Sequence, residues 1–225
     1  MAKIHGMAGE WARVKGTIIG LTPVFVALFT AGLATAAAVL GYPVTGIVIL
    51  AASLCAGCSF MIGGVKRIER HFVGARGEER VSNLLSDLSD RYHVFNDFAA
   101  GPYHVDHVVV GPAGVFAVET KFWNGHVTIE DGRILVNGLK PSRPPLVQVQ
   151  REAAAVKSEL EKAGWCGAVT PLLVFASDSF VSRIAELNGV VVLNSDEIKK
   201  SFTTERVVIA QDELDRLISL MENNI

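Results

Sequence analysis

The fold of this chain is decided by the consecutive segments VDHVVV (105–110), GPAG (111–114) and VFAVETK (115–121). Two largely apolar arms around a Gly-Pro-Ala-Gly turn predict a β-hairpin. Pairing across the two glycines of the turn sets Asp106 opposite Glu119, with their Cβ atoms about 4.5–5.5 Å apart. Lys121 falls on the same face as Glu119, because side chains alternate along a strand. A bulge at the turn would instead shift this register by one residue.

The opposed carboxylates have two interpretations. Asp106 and Glu119 repel each other unless a cation or a proton lies between them, which points to a divalent-metal site with Lys121 beside it. The alternative is the solvated face of an antiparallel sheet, with a lysine guarding an edge strand. The spacing alone favours the solvated face, and residues elsewhere in the chain shift the balance towards a site.

The N-terminal part of the chain carries most of its apolar excess, and the mean hydropathy of the whole chain is +0.35. Residues 17–40 and 44–65 contain no charged residue, and the sequence Gly41-Tyr42-Pro43 separates them. Each segment is long enough to cross about 30 Å of hydrocarbon as a helix. We therefore expect a membrane anchor at residues 1–70 with two transmembrane helices. A cleaved signal peptide is the alternative, although its apolar region is usually shorter and is not followed by a second span.

Charges around the two apolar segments predict their orientation. The flanking basic residues are Lys3, Arg13, Lys15, Lys66, Arg67 and Arg70, and the turn between the segments has none. The positive-inside rule then places both termini and residues 71–225 in the cytoplasm, with the chain a multi-pass protein of the cell membrane. The C-x-x-C of Cys55 and Cys58 lies inside the second segment without further ligands, which disfavours a zinc site.

The two parts of the chain have opposite charge. Residues 1–70 carry six Lys and Arg against two Asp and Glu, whereas residues 71–225 carry fifteen against twenty-one, a formal −6. An acidic domain lacks the basic surface that is usual in a strong nucleic-acid binder. An acidic domain is still compatible with an enzyme that binds phosphate through a metal ion.

The C-terminal part, residues 71–225, alternates strands and helices as a single domain. Helices are predicted near 78–88, 144–163, 180–187, 196–200 and 211–222, and strands near 92–96, 105–110, 115–121, 126–130, 133–136, 169–175 and 190–193. This order predicts an α/β fold with a mixed central sheet flanked by helices.

Two polar residues on the predicted helices are candidates for the same site. Glu78 precedes Val81 by three residues and Leu85 by seven, so it faces the apolar side of its helix, where a carboxylate must be paired or ligated. A first-turn glutamate complementing the helix dipole is the alternative. Gln148 lies in the first turn of the 144–163 helix, from which it can reach the sheet. The alternative is that Gln148 is exposed to solvent and has no role in a site.

Three signatures occur in a fixed order along the chain: GARGEE at 74–79, VDHVVVGPAGVFAVETK at 105–121 and PLVQ at 145–148. Together they resemble the NERD (nuclease-related) domain of the PD-(D/E)XK nuclease-like superfamily. The close resemblance covers about residues 74–150. It implies a restriction-endonuclease-like core behind the two transmembrane helices.

The resemblance also implies roles for individual residues. Asp106, Glu119 and Glu78 would hold Mg²⁺ or Mn²⁺, and Lys121 would orient the attacking water or stabilise the developing negative charge. Gln148 matches the polar helix residue of the family, with Gln150 as an alternative occupant. His107 follows the aspartate as it does in the family, and its strand position predicts a packing role on the opposite face of the sheet.

Two functions from different classes follow. The first is a membrane-anchored, metal-dependent nuclease that hydrolyses phosphodiester bonds in DNA, with RNA as the other possible substrate. The second is a non-catalytic nuclease-like domain that binds nucleic acid or a protein partner at the membrane. The complete set of candidate site residues favours the enzyme, since a binding module has no need of two facing carboxylates.

Overall fold

The computed structural model of the chain describes residues 1–162, 164–180, 184–202 and 208–222. The chain divides into two compact units. One comprises Trp11–Val73, and the other combines Met1–Glu10 with Gly74–Ile225.

The Trp11–Val73 unit is built from two long helices, α1 (Glu10–Val39) and the first part of α2 (Pro43–Ser86). Both are long and apolar enough to span a membrane, over Glu10–Val39 and Pro43–Phe60, and almost none of their apolar side chains is buried. The turn between them contains Gly41 in the left-handed region, at φ 88°. A Cβ at Gly46 would stand 2.7 Å from the carbonyl oxygen of Ala34, so a glycine is needed where the two helices approach.

The second unit is organised by a seven-stranded mixed sheet, as expected. The strands of the chain are β1 (Lys3–His5), β2 (His93–Ala100), β3 (Tyr103–Gly111), β4 (Gly114–Lys121), β5 (Val127–Glu130), β6 (Arg133–Val136), β7 (Val169–Phe175), β8 (Ile184–Leu187) and β9 (Val190–Asn194). The sheet order is β1-β2-β3-β4-β7-β9-β8, and β5 and β6 form a separate hairpin. Helices α3 (Pro145–Lys162) and α4 (Gln211–Glu222) and a 3-10 helix (Ser195–Phe202) complete the unit.

Helices cover both faces of the sheet. On one face, Val108 and Ala117 pack with Val156 of α3 and Leu217 of α4. On the other, the strands pack with the end of α2 and with the 3-10 helix; the buried residues there include Val81, Leu85, Val94, Val109, Val118 and Ile198. The central strands are therefore buried on both faces, which explains their runs of consecutive apolar residues.

Two elements differ from the sequence expectations. The predicted helix at 180–187 is wrong: residues 184–187 form β8, antiparallel to β9, and residues 181–183 lie outside the described part. Asn188 and Gly189, both at positive φ (52° and 75°), make a tight hairpin turn there. Strand β1 was not expected; it pairs in parallel with β2 at the edge of the sheet, with Lys3 opposite His93.

Candidate functional site

The hairpin of β3 and β4 has the register predicted from its turn. The pairs run from Gly111 opposite Gly114 to His107 opposite Val118, and Asp106 and Glu119 come one step further along. At that step the Asp106 side chain accepts a hydrogen bond from the backbone N–H of Thr120, at 2.7 Å. A carboxylate oxygen thus takes the place of a carbonyl at the end of the ladder, which fixes Asp106 beside β4.

Glu119 is held by two side chains on the face covered by α3. Lys121 forms an ion pair with Glu119 through Oε1. Gln148 donates to the same Oε1 at 2.7 Å and accepts from Lys121 Nζ at 3.0 Å. The three residues therefore form a closed triangle that joins β4 to the first turn of α3.

Lys121 remains a cation in this setting. Its burial opposes the charge, but the carboxylates of Glu119 and Asp106 outweigh that effect and raise the pKa of Lys121 above its usual value. A lysine that stays protonated stabilises negative charge and does not act as a general base.

Glu152, one turn after Gln148 on α3, is buried in the same cluster. Its Oε1 accepts a hydrogen bond from Gln148 at 2.9 Å, while its Oε2 has no hydrogen-bond partner among the described residues. Burial and the negative charge of Glu119 raise the pKa of Glu152 to about 9. Glu152 is therefore a neutral acid at pH 7.

Glu78 approaches the cluster from α2. Burial, followed by the charges of Asp97 and Glu119, raises the pKa of the half-buried Glu78 to about 7, against the opposing effects of Lys121 and a backbone hydrogen bond from Gly9. Burial and the charges of Glu119 and Glu78 also raise the pKa of Asp106 well above its usual value. The mutual effects show that the structure brings Glu78, Asp106 and Glu119 together.

Two other candidates lie outside the cluster. His107 is fully buried, and its Nδ1 is 2.7 Å from Asn96 Oδ1 on the neighbouring strand. Alternation along β3 places it on the face opposite Asp106, and burial lowers its pKa to about 3, so it is a neutral packing residue. Gln150 is exposed and donates to the carbonyl oxygen of Asn188 at 2.8 Å, so Gln148 alone of the two glutamines faces the cluster.

In the comparison with known protein families, the model of the nuclease-related domain, NERD, matches residues 73–176. Residues 73–176 therefore correspond to a NERD domain. The matched range contains α2 from its last turns to the end of β7, and with it every member of the cluster. No curated protein and no solved structure gives a significant match.

The donor set of the NERD domain fits a hard divalent cation. Three carboxylates converge with only Lys121 as a cation among the residues named here, and burial together with neighbouring negative charges raises the pKa values of two of them, Glu78 and Asp106. Oxygen ligands are those that Mg²⁺ and Mn²⁺ prefer. A bound cation would relieve this repulsion without the uptake of protons.

Sequence reasoning missed Glu152 and Asp97. The signal for Glu152 was its position: it follows Gln148 by four residues and Val149 by three, so it lies on the inward face of α3. Asp97 stands at positive φ (53°) within β2, beside the point where Asp106 lies on β3. Aspartate tolerates that conformation better than most residues, but the sequence alone does not reveal it.

Proposed function

We propose that the NERD domain of this chain is a metal-dependent nuclease that hydrolyses phosphodiester bonds in DNA, with RNA as the alternative substrate. The observation that carries the proposal is the buried group of Asp106, Glu119 and Glu78 with a protonated Lys121 beside it. Such an arrangement costs stability in the absence of a ligand, which is expected of a site selected for function.

Each residue has a distinct role in this proposal. Asp106 and Glu119, with Glu78 directly or through water, hold Mg²⁺ or Mn²⁺, and the ion supplies polarisation of the phosphate and a lower pKa of bound water. Lys121 stabilises the negative charge that develops on the phosphate oxygens. Gln148 contacts both Glu119 and Lys121, so it keeps the carboxylate and the cation in a fixed relative position.

A non-catalytic domain that binds nucleic acid or a protein partner at the membrane is the second candidate. The formal charge of −6 on residues 71–225 favours it over an enzyme with strong unaided affinity for DNA. The ion pair of Lys121 with Glu119 and the glutamine that contacts both residues favour the enzyme, because a lysine fixed beside carboxylates can stabilise a developing negative charge.

We also propose that residues 1–70 anchor the protein in the cell membrane and that residues 71–225 are the cytoplasmic nuclease-like domain, to which strand β1 adds. The side chains on α1 that would meet lipid are apolar and exposed, such as Phe25 and Phe29. Hydroxyl groups in the two helices bond back to their own backbone, as hydrocarbon requires: Thr22 to Ile18, Thr30 to Val26, Thr35 to Ala31 and Ser53 to Ile49.

The position of strand β1 supports a hairpin with both ends on one side of the membrane. Met1–Glu10 belongs to the same compact unit as the residues after the second helix. A chain that leaves this unit through α1 and returns to it through α2 crosses the membrane an even number of times. The basic residues that flank both helices then favour the cytoplasmic side.

The test is a cleavage assay with the full chain in detergent micelles, since β1 must be present for the sheet to be complete. Single-stranded DNA, double-stranded DNA and RNA are each incubated with Mg²⁺, with Mn²⁺ and with EDTA. We expect cleavage that EDTA abolishes and that Asp106→Asn removes, while Glu79→Gln, its matched control on the outer side of α2, keeps it. Metal-independent binding without cleavage in every condition would overturn the enzyme and favour the second candidate.

A further inference from the structure

A second group of metal-ligating side chains lies at the start of β2. It consists of His5 of β1, His93 of β2 and Glu222 at the end of α4, and one ligand atom from each lies within 4.8 Å of the others. His93 pairs with Val110 on β3, four residues from Asp106. Four residues of a strand span about 13 Å, so this group is separate from the carboxylate cluster.

The distances between the three side chains suit a single ion. His5 Nε2 is 3.0 Å from His93 Nδ1, and one carboxylate oxygen of Glu222 lies within 4.8 Å of a ring nitrogen on each histidine. Two nitrogen ligands that each stand about 2.0–2.1 Å from one ion are separated by about 3–3.4 Å. The two imidazole rings therefore already stand at the separation of neighbouring ligands.

The three side chains differ in their exposure to solvent. His93 is buried in strand β2, next to the edge strand β1. Glu222 is exposed and His5 is partly exposed, so an ion can enter from solvent.

We propose that His5, His93 and Glu222 form a second cation site, selective for an imidazole-binding metal such as Zn²⁺. Nitrogen ligands suit Zn²⁺, Ni²⁺ and Cu²⁺, whereas the oxygen ligands of the first site suit Mg²⁺ and Mn²⁺. An ion bound there ties the edge strand β1 to β2 and to the last helix, and so holds the two ends of the chain against the sheet.

The experiment is a Zn²⁺ titration by calorimetry of the full chain in detergent, without an affinity tag and with its three cysteines replaced by serine. Excess Mg²⁺ occupies the carboxylate cluster throughout. The variants are His5→Gln and Glu222→Gln, which change side chains with exposed atoms and leave the core intact. Their matched controls are His126→Gln, an exposed histidine elsewhere, and Glu213→Gln on the outer face of α4.

We expect one Zn²⁺ per chain, bound about tenfold or more weakly in each of the two site variants and unchanged in the two controls. A rise in Tm on addition of Zn²⁺, lost in the same two variants, is the second readout. Equal Zn²⁺ affinity in His5→Gln and the unsubstituted chain, or no Zn²⁺ binding in the presence of Mg²⁺, would overturn the proposal. Either result would mean that the three residues form only a hydrogen bond between two histidines and an ion pair to Glu222, without a metal site.

Discussion

Glu152 of α3 and Glu119 of β4 are joined by Gln148, whose Nε2 donates to Glu119 Oε1 at 2.7 Å and to Glu152 Oε1 at 2.9 Å. Burial and the negative charge of Glu119 raise the pKa of Glu152 to about 9, because two negative charges in a buried site repel each other. The raised pKa values of Glu152, Asp106 and Glu78 therefore make the stability of the protein depend on pH, in addition to their effect on the chemistry of the site.

Glu152→Gln should stabilise the metal-free protein at neutral and alkaline pH. In the folded protein the pKa of Glu152 is about 9, above its ordinary value of 4.5. The contribution of Glu152 to stability is therefore complete below pH 4.5 and is lost as the pH rises through 9. The glutamine that replaces Glu152 is neutral at every pH. In EDTA, the variant should gain roughly 1–3 kcal/mol of unfolding free energy at about pH 8 and much less at about pH 5.

Denaturant titrations at the two pH values measure this difference. Glu161→Gln is the control, since Glu161 lies on the exposed side of the same helix in an ion pair with Lys157. It should change stability by less than about 0.5 kcal/mol at both pH values. A gain for Glu152→Gln that is equal at the two pH values would contradict the raised pKa of Glu152.

Neutralising Asp106 and neutralising Glu119 should have different effects on the metal-free protein. Asp106→Asn removes a charge that burial and its neighbours disfavour, and the amide oxygen can still accept from Thr120 N–H, so we expect a gain of about 0.5–2 kcal/mol. Glu119→Gln should give no gain, because Lys121 and Gln148 already compensate that carboxylate.

Both variants should lose most of the rise in Tm that Mg²⁺ or Mn²⁺ gives the unsubstituted protein, because binding to the native state sets that rise. Melting curves recorded with and without metal measure this rise in Tm for each variant. If Asp106→Asn proved less stable than the unsubstituted chain in EDTA, or kept the full metal-induced shift, Asp106 and Glu119 would not share a metal site.

Lys121→Met should separate catalysis from metal binding. Methionine keeps the unbranched stem but removes the charge, so the rate of cleavage should fall by about 10²–10³-fold. Removal of a cation beside the carboxylates should leave Mn²⁺ affinity unchanged or higher. Lys157→Met, an exposed lysine on α3, is the control for both measurements, which are a cleavage rate and a calorimetric Mn²⁺ titration. A Lys121→Met protein that cleaves at the normal rate would remove the lysine from the mechanism.

The two-helix anchor predicts a pattern of chemical labelling in intact cells. A single cysteine introduced as Tyr42→Cys, in the turn between α1 and α2, should react with a membrane-impermeant maleimide added outside. A cysteine introduced as Asp90→Cys, exposed after the end of α2, should react only after lysis. Labelling of Asp90→Cys in intact cells would reject the cytoplasmic orientation. Equal protection of both positions would reject the hairpin.

Much of the site was predictable because it depends on local rules. The Gly-Pro-Ala-Gly turn specifies the register of β3 and β4, and that register alone brings Asp106 next to Glu119. Gln148 was placed by its position in the first turn of an amphipathic helix. Glu152 was overlooked because its neighbours on α3, such as Val149 and Ala153, are apolar and indicate a core position, where an acid is not expected.

Two elements of the fold were not predictable from local patterns. Phe180, Ile184 and Leu187 are spaced as on one face of a helix, yet pairing with β9 makes a strand of the last part of this segment. The dipeptide Asn188-Gly189 is a strong signal for a two-residue hairpin, but the helix predicted at 180–187 left no strand before it. Strand β1 has only three residues, too few to show a period, and its partner lies in a distant part of the sequence.

The pairing of β1 with β2 sets the order in which the protein can be assembled during translation. His5 and His93 are 88 residues apart, so at about 5–20 residues per second the edge strand waits about 4–18 s for its partner to be synthesised. Both apolar helices leave the ribosome within that interval. A nascent chain whose N-terminus has been translocated across the membrane leaves β1 on the far side, and its sheet stays open at the edge where β1 belongs. With the proposed anchor at residues 1–70, its correct insertion is thus a condition for completing the domain that follows it.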